Sequence, residues 1–466
     1  MAKGITAKQR SLFVFQHLDD GWAPCARLTM TEEGHRTLGS ELGYGQNYLK
    51  RPNAREIDPL TLSLKRNPGE DTSRLIPPNG LPLFGAIRDA APDAWGRRVI
   101  EARLKVPANS LPESDYLLHA GSERVGSLDV RSRLTDDPVQ SAAEVHVLPY
   151  LLEAADRIEA GLPVPEGLEF IFQAGSALGG ARPKASVRDE RGVLWLAKFG
   201  MPKDAFDIPG VERASLELAR QAGLHVPSVK LLSVGGREVM FIRRFDRYWA
   251  SGSTAQQAPA HDDWPAFLER MPAPGRAEQR LSFISGLTLL ACHETESMNR
   301  FYVELADAIR AHCHPTIIRQ DCEELFKRMV FNIFVSNDDD HLRNHGFLYD
   351  PRLQGWRLSP LYDVLPRPGH SSERFLHLGV GLHGRHADLD NAMSLHVRFT
   401  PTKRRALQLL DEVWRAVRQW KVCFEAQGLS AITVDKVGSA FRHIDDISSA
   451  GLRRDLVAQT VKTPSG

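Results

Sequence analysis

The stretch FNIFVSNDDDHLRNHGFLYD, Phe331 to Asp350, decides the fold. An apolar segment at helical spacing (Leu325, Met329, Val330, Ile333, Phe334) runs straight into three consecutive aspartates, a histidine and then an asparagine. Asp339 and Asn344, with four residues between them, have the spacing of a phosphotransferase catalytic loop. Asp339 falls at the base position and Asn344 at a metal position. That spacing alone is common, and three aspartates after a helix also describe a plain acidic turn. The rest of the chain must supply the other parts.

Downstream, WRLSPLYDVLP (Trp356 to Pro366) offers Asp363 after a strand-like run. It would be the second oxygen ligand for Mg²⁺, which prefers carboxylate and phosphate oxygens. His341, two residues past the base, could touch a γ-phosphate. Asp338 and Asp340 flank Asp339, and their alternating directions leave at most one of them as an extra ligand.

Upstream lies QAGSALGGARPKASVRDERGVLWLAKF, Gln173 to Phe199. Small residues at Gly175, Ser176, Ala177, Gly179 and Gly180 leave backbone N–H groups open to an anion. Pro183 stands where a Walker loop has the Gly before its lysine. Two strands flank a turn at Asp189 to Gly192. In the second, Val193, Trp195, Ala197 and Phe199 share one face, and Leu194, Leu196 and Lys198 share the other. On that mostly apolar face Lys198 requires an anionic partner: a phosphate, a carboxylate, or both. A helix opened by Pro209 carries Glu212 and Glu217, either of which could pair with Lys198. A first-turn Glu such as Glu212 is equally what the helix dipole favours. Strands at Val226 to Leu232 and Glu238 to Arg243 turn at Gly235-Gly236. The backbone from Arg243 to Phe245 then follows in the order expected of an adenine-binding hinge.

Composition sets outer bounds. The chain has 466 residues, 42% hydrophobic and 25% charged, with a formal net charge of +1. These are the values of an ordinary globular protein with room for more than one core, and no strong overall field draws it to nucleic acid or anionic lipid. Five scattered cysteines fit a reducing cytoplasm better than a disulfide framework. The apolar run near the N-terminus is too short for a signal peptide, and the one from Leu281 to Cys292 too short for a membrane span. Asp89, Asp93, Arg97 and Arg98 read as the solvated face of a helix entered through Pro92. Helical patterns cover 142–160, 278–292, 301–312, 319–335 and 402–427, while Ala250 to Asp263 is a polar insertion with the composition of a surface loop. His312, Cys313, His314 and Cys322 look like a metal tract but lack a fourth-ligand pattern, so a structural use is expected. His377, His383 and His386 read as surface histidines.

The segments AAPDAWGRRVIE, GSERVGSLDV, LGGARPKA, RRFDRYW, SNDDDHLRNHGFLYD and SPLYDVLP resemble the HipA family, the serine/threonine-kinase toxins of type II toxin–antitoxin modules in bacteria. The resemblance implies a two-lobed, protein-kinase-like α/β fold. An extra N-terminal subdomain would span 1–140, the rest of the strand-rich lobe 141–249, and a helical lobe 250–466. It implies ATP and Mg²⁺ as cofactors. By position, Asp339 would be the catalytic base, His341 a phosphate contact, Asn344 and Asp363 the metal ligands, and Lys198 the ATP-phosphate lysine. Gly179 and Gly180 would lie over the phosphates, Glu212 would partner the lysine, and Arg243 and Phe245 would form the hinge. It further implies a small DNA-binding, HipB-like antitoxin as partner, with DNA reached only through it. The substrate would be a cellular protein, an aminoacyl-tRNA synthetase in known members, and no membrane would be involved. Family members autophosphorylate a serine in the Gly-rich loop; that position falls on Ala177, with Ser176 adjacent as the candidate. Two further readings share the motif, a small-molecule kinase and an antitoxin-binding pseudokinase. A metal-dependent hydrolase built on Asp338 to His341 stands further off.

Overall fold

The structure is a computed structural model describing residues 6–65, 71–139, 142–177, 180–252 and 263–461. The chain forms two compact units. The first comprises Met1–Met201, Leu232–Ala291 and Leu348–Gln354; the second comprises Pro202–Leu231, Cys292–Phe347 and Gly355–Gly466.

Unit 1 begins with an antiparallel sheet of β1 (Lys8–Leu18), β2 (Gly21–Glu33), β3 (Arg36–Tyr44) and β4 (Leu128–Arg131), in the order β3-β2-β1-β4. Val14, Leu28 and Met30 supply its buried face. A second sheet contains β5 (Ala143–Glu144), β6 (Lys184–Arg188), β7 (Leu194–Phe199), β8 (Val229–Val234) and β9 (Arg237–Arg243), in the order β5-β6-β7-β9-β8. Alternation decides which way each side chain points. Ala185, Val187, Trp195, Ala197, Phe199, Val239 and Phe241 enter one apolar core. The helices Ala94–Leu104 and Leu148–Glu159 close that core with Trp95, Val99, Leu151 and Leu152. The expected hairpin register therefore holds, and Lys198 lies half-buried on the opposite face.

Behind the end of β9, unit 1 buries a charge network. Asp246 accepts from Gly126 N and from the guanidinium groups of Arg244 and Arg247. Glu123 lies beside Arg188, Arg247 and Arg280. The motifs GSERVGSLDV and RRFDRYW meet here.

Unit 2 is mostly helical. Its central helix, Ile318–Val335, is buried on every side from Leu325 onward, including Lys327, Arg328 and Asn332. Lys327 Nζ donates to Gly223 O and Arg328 Nη2 to Ser359 O, so the buried cations are used as braces. Tyr302–His312 and Lys403–Val417 pack against this helix, and Ile208–Gln221 packs on Lys403–Val417. Helix Ile208–Gln221 opens with Asp207 accepting from Gly210 N. It carries Glu212, so Glu212 belongs to unit 2 and Lys198 to unit 1.

Three sequence expectations change. Residues 278–292 are not one helix: β10 (Arg247–Ala250) pairs with β11 (Ala277–Arg280), β12 (Phe283–Ser285) follows, and only Gly286–Leu289 is helical. The apolar residues suited a helix, but Arg280 is held opposite Arg247 by the buried network, and Ser285 starts the short helix by capping Thr288 N. The segment 142–160 is strand, then a 3₁₀ turn, then helix. Asp89, Asp93, Arg97 and Arg98 are not a solvated face: Asp89 is buried and accepts from Ser285 N, Ser285 Oγ and Thr288 Oγ1. Of the polar insertion, residues 253–262 lie outside the described residues.

Candidate functional site

The central helix ends at Ser336, whose φ of 50° reverses the chain in the left-handed region. Asn337 N donates back to Asn332 O and Asn337 Nδ2 to Asn332 Oδ1, tying the first residue of the loop to the last turn of the helix. The three aspartates then separate by environment. Asp338 and Asp339 are exposed, while Asp340 is 1% exposed.

Asp340 anchors the loop. Its Oδ2 receives Asn332 Nδ2 at 2.8 Å, His345 Nε2 at 2.9 Å and the Tyr302 hydroxyl. Burial alone would raise this carboxyl, but the facing His345 ring and the bonds from His345 and Tyr302 hold it below the ordinary carboxylate range. One residue earlier, Asp339 projects into solvent. His341 N and Asn344 Nδ2 both donate to Asp339 O, at 2.8 and 3.1 Å, which closes the loop as a turn. Asn344 is 5% exposed; with its amide nitrogen committed to that carbonyl, Oδ1 is the atom left to face a cation.

The segment carrying Asp363 is fastened to the same loop. Tyr362 Oη donates to Arg343 O at 2.7 Å, Leu365 N to Asn337 Oδ1 at 3.4 Å, and Arg367 N to Ser336 O at 3.1 Å. Asp363, exposed, has φ 60°, a conformation short polar residues tolerate and that recurs at functional sites. Arg367 Nη2 lies 2.8 Å from Asp339 Oδ2 and its Nε 3.0 Å from Asp338 Oδ1, so one guanidinium spans both exposed carboxylates. Burial and the neighbouring Asp339 charge raise the Asp338 carboxyl, with Arg367 opposing. His341 stacks edge-on with His377, ring centres 5.8 Å apart, and His377 Nε2 reaches Ser297 Oγ at 3.0 Å. His377 is thus part of the loop's packing and not a plain surface histidine.

Unit 2 therefore brings together Asp339, His341, Asn344 and the Asp363 segment. Unit 1 holds Ser176, Gly180, Lys198, Arg243 and Phe245. Gly179 lies outside the described residues. Gly180 has φ 78°, which its lack of Cβ permits, but its N–H is not open to an anion: it donates to Asp93 Oδ2 at 2.9 Å. Ser176 is 2% exposed and its hydroxyl donates to Ala120 O, so its modification would require the turn to leave this position. The Arg243 guanidinium is turned into unit 1, onto Glu269 and the Arg270 carbonyl, and Arg244 N–H is bonded to Leu194 O. Among the described residues no group of three or more His, Cys, Asp or Glu side chains is arranged to hold a metal, neither Asp338 to His341 nor the His312 to Cys322 tract. An Asn–Asp oxygen pair suits Mg²⁺, which takes few protein ligands and completes its shell with phosphate and water. No helix among the described residues is long and apolar enough to cross a membrane.

Sequence reasoning missed Asp340 as an anchor. The available signals were Asn332, in the last turn of the central helix, and His345, five residues on.

The chain is similar to known proteins over most of its length. The profile of the HipA-like C-terminal domain matches residues 176–421. A Sinorhizobium fredii protein named "Putative kinase Y4mE" is 26% identical over 412 residues, covering 83% of this chain and 87% of that one. A Haemophilus influenzae protein named "Putative kinase" is 23% identical over 205 residues, 41% of this chain and 53% of its own length. Among solved structures, one from the HipA, HipB and operator DNA complex of the Shewanella oneidensis MR-1 toxin–antitoxin system superposes with a TM-score of 0.61. It has 14% identity over 96% of each chain, a likeness of fold. The fold is α/β and kinase-like.

Proposed function

Because the chain belongs to the HipA-like C-terminal domain family, we propose that it is an ATP- and Mg²⁺-dependent serine/threonine protein kinase, acting in the cytoplasm as the toxin of a toxin–antitoxin module. The observation that carries this reading is the loop Asn337–Asn344. It sets one carboxylate, Asp339, in solvent on a buried anchor, Asp340, with the Asn344 amide oxygen and the Asp363 segment bonded to the same turn.

In this mechanism Asp339 accepts the proton of a seryl or threonyl hydroxyl as its oxygen forms the new bond to the γ-phosphorus. The bond from that phosphorus to the β-bridging oxygen breaks, and ADP leaves. Asn344 and Asp363 would hold the metal, which would neutralise charge on the phosphates. Lys198 is the residue assigned to the phosphate oxygens. His341, held by the His377 ring, contacts the γ-phosphate, and the backbone from Arg243 to Phe245 receives the adenine. A small DNA-binding, HipB-like antitoxin is the expected partner. The reading draws support from the name of the solved HipA, HipB and operator DNA complex whose fold this chain shares.

Incubation with γ-labelled ATP and cell lysate tests it. Wild type should label a discrete protein band, and Asp339→Ala should label none. Equal labelling by both proteins would remove Asp339 from the mechanism, and transfer only to small metabolites would favour a small-molecule kinase.

A further inference from the structure

Shortly after Asp363 runs the segment RPGHSSER, Arg367 to Arg374, to which the mechanism above gives no part. Two guanidinium groups of unit 2 converge on its backbone. Arg374 turns back along the segment. Its Nε donates to Ser371 O at 3.3 Å, Nη1 to Ser336 Oγ at 2.6 Å and Arg367 O at 3.4 Å, and Nη2 to Gly369 O at 2.7 Å and Ser439 O at 2.6 Å. Arg442 follows the 3₁₀ turn Gly438–Ala440 and is tied to the central helix by its N–H, which donates to Phe334 O at 2.8 Å. Its Nη2 donates to Ser372 O at 2.8 Å.

All of these acceptors are carbonyl or hydroxyl oxygens. Half-buried cations ordinarily meet a carboxylate, yet among the described residues none lies within ion-pair distance of either guanidinium. Asp338 acts on Arg374, and Asp446 and Asp388 act on Arg442, only from further off. Burial lowers the pKa of both groups, and the facing Arg374 charge lowers that of Arg442 further. Arg442 Nη1 is buried and has no hydrogen-bond partner among the described residues. Two mutually repelling cations and one unfilled donor are therefore left beside Ser372.

The two serines of the segment differ. Ser371 Oγ donates to Glu373 O at 2.7 Å. Ser372 is exposed, and its hydroxyl makes no hydrogen bond among the described residues, while its carbonyl already holds Arg442. A phosphoryl group there would bring about two negative charges and three acceptor oxygens, which suits a pair of guanidinium groups lacking an anion.

We propose that Ser372 is a phosphorylation site whose phosphoryl group is received by Arg442 and Arg374. The inference rests on the kinase reading above and adds a substrate hydroxyl within the chain itself. Ser372 Oγ forms the bond to the γ-phosphorus of ATP, and the bond from that phosphorus to the β-bridging oxygen breaks. ADP leaves, and the hydroxyl proton passes to Asp339 of the acting copy.

The test has two arms, both on the full chain. In the first, wild type and Asp339→Ala are each incubated with Mg²⁺ and ATP, and their phosphopeptides are identified by mass spectrometry; a parallel incubation with lysate reads transfer to other proteins. Wild type should carry phosphate on Ser372, and Asp339→Ala should carry none. In the second arm phosphoserine is incorporated at position 372 during synthesis, which needs no kinase activity, and a broad-specificity phosphatase is added. Arg442→Gln in that chain should speed removal of the phosphate about tenfold, and Arg442→Lys by less. If Arg442→Gln does not fold, Arg442→Met replaces it. Wild type that phosphorylates lysate proteins but carries no phosphate on Ser372, or carries it only on Ser371, overturns the inference and leaves the kinase reading standing. Equal rates of removal with and without the Arg442 guanidinium overturn the two-guanidinium seat. Wild type that phosphorylates neither itself nor any lysate protein overturns both readings.

Discussion

The buried anchor beneath the Asn337–Asn344 loop makes a quantitative demand. Asp340 takes three hydrogen bonds on one oxygen, from Asn332, His345 and Tyr302. Hydrogen bonds to a charged group contribute about 1.5–3 kcal/mol each when measured singly, and they are not additive within one cluster. Removing one partner of a buried, paired charge costs about 3–5 kcal/mol, because the remaining donors lose their acceptor in a dry site. Asp340→Ala should therefore destabilise unit 2 by about 3–5 kcal/mol. Asp340→Asn keeps the shape and one acceptor oxygen but loses the charge facing His345, so its cost should be smaller, about 1.5–3 kcal/mol. Urea unfolding followed by far-UV circular dichroism reads both values. Transfer assays on the folded fraction of Asp340→Asn should show kcat reduced at least tenfold with the KM for ATP nearly unchanged, since the loop that carries Asp339 is loosened. A loss below about 1 kcal/mol for Asp340→Ala would mean that the cluster contributes no more than an ordinary surface contact, and the anchoring argument would fail.

Three further outcomes follow from other parts of the molecule. Burial pushes Glu123 up, but Arg280, Arg247, Arg188 and Arg244 outweigh it and draw the carboxyl down to about 2. The unfolded chain then binds the extra proton as pH falls, so this contribution is complete above the ordinary carboxylate range and is lost on going down toward pH 2. Thermal unfolding between pH 6 and 3 should show that loss, and Glu123→Gln should flatten it; an equal slope in both proteins would contradict the assignment. Arg367→Ala removes a half-exposed ion pair, so stability should change by less than about 1 kcal/mol. The transfer rate should change as Asp339 is released from the Arg367 guanidinium, and an unchanged rate would show that the pair has no bearing on transfer. A Cβ at Gly381 would lie 2.0 Å from Asn391 O and 2.4 Å from Ser394 Oγ. Gly381→Ala should accordingly destabilise unit 2 by about 1–3 kcal/mol, read as a lowered urea midpoint, and a wild-type midpoint would show that the 379–391 loop yields freely.

Much of the fold could be read from period and punctuation. Trp195, Ala197 and Phe199 alternate with Leu196 and Lys198, and one face of that strand can only enter the core. Gly235-Gly236 ends one strand and begins the next, and the apolar run ending at Val335 could only be a buried helix. The long-range polar contacts could not be read this way. Asp338, Asp339 and Asp340 are the same letter, and only Tyr302, Asn332 and His345, brought in by folding, make one of them an anchor. Asp93 and Arg98 of AAPDAWGRR have the spacing of an exposed helix face, yet both reach the backbone of a turn more than eighty residues away. Residues 278–292 misled for the same reason. Arg280 is apart from its neighbours in sequence character, and its buried partners, Glu123 and the Ser122 carbonyl, come from a distant segment.

Protein transfer through Asp339 is tested most directly by comparing phosphorylated peptides across the proteome after a short induction of wild type or Asp339→Ala. At least one seryl or threonyl phosphosite should appear with wild type and be absent with the variant. Identical phosphopeptide profiles, with both proteins folded and equally abundant, would contradict it.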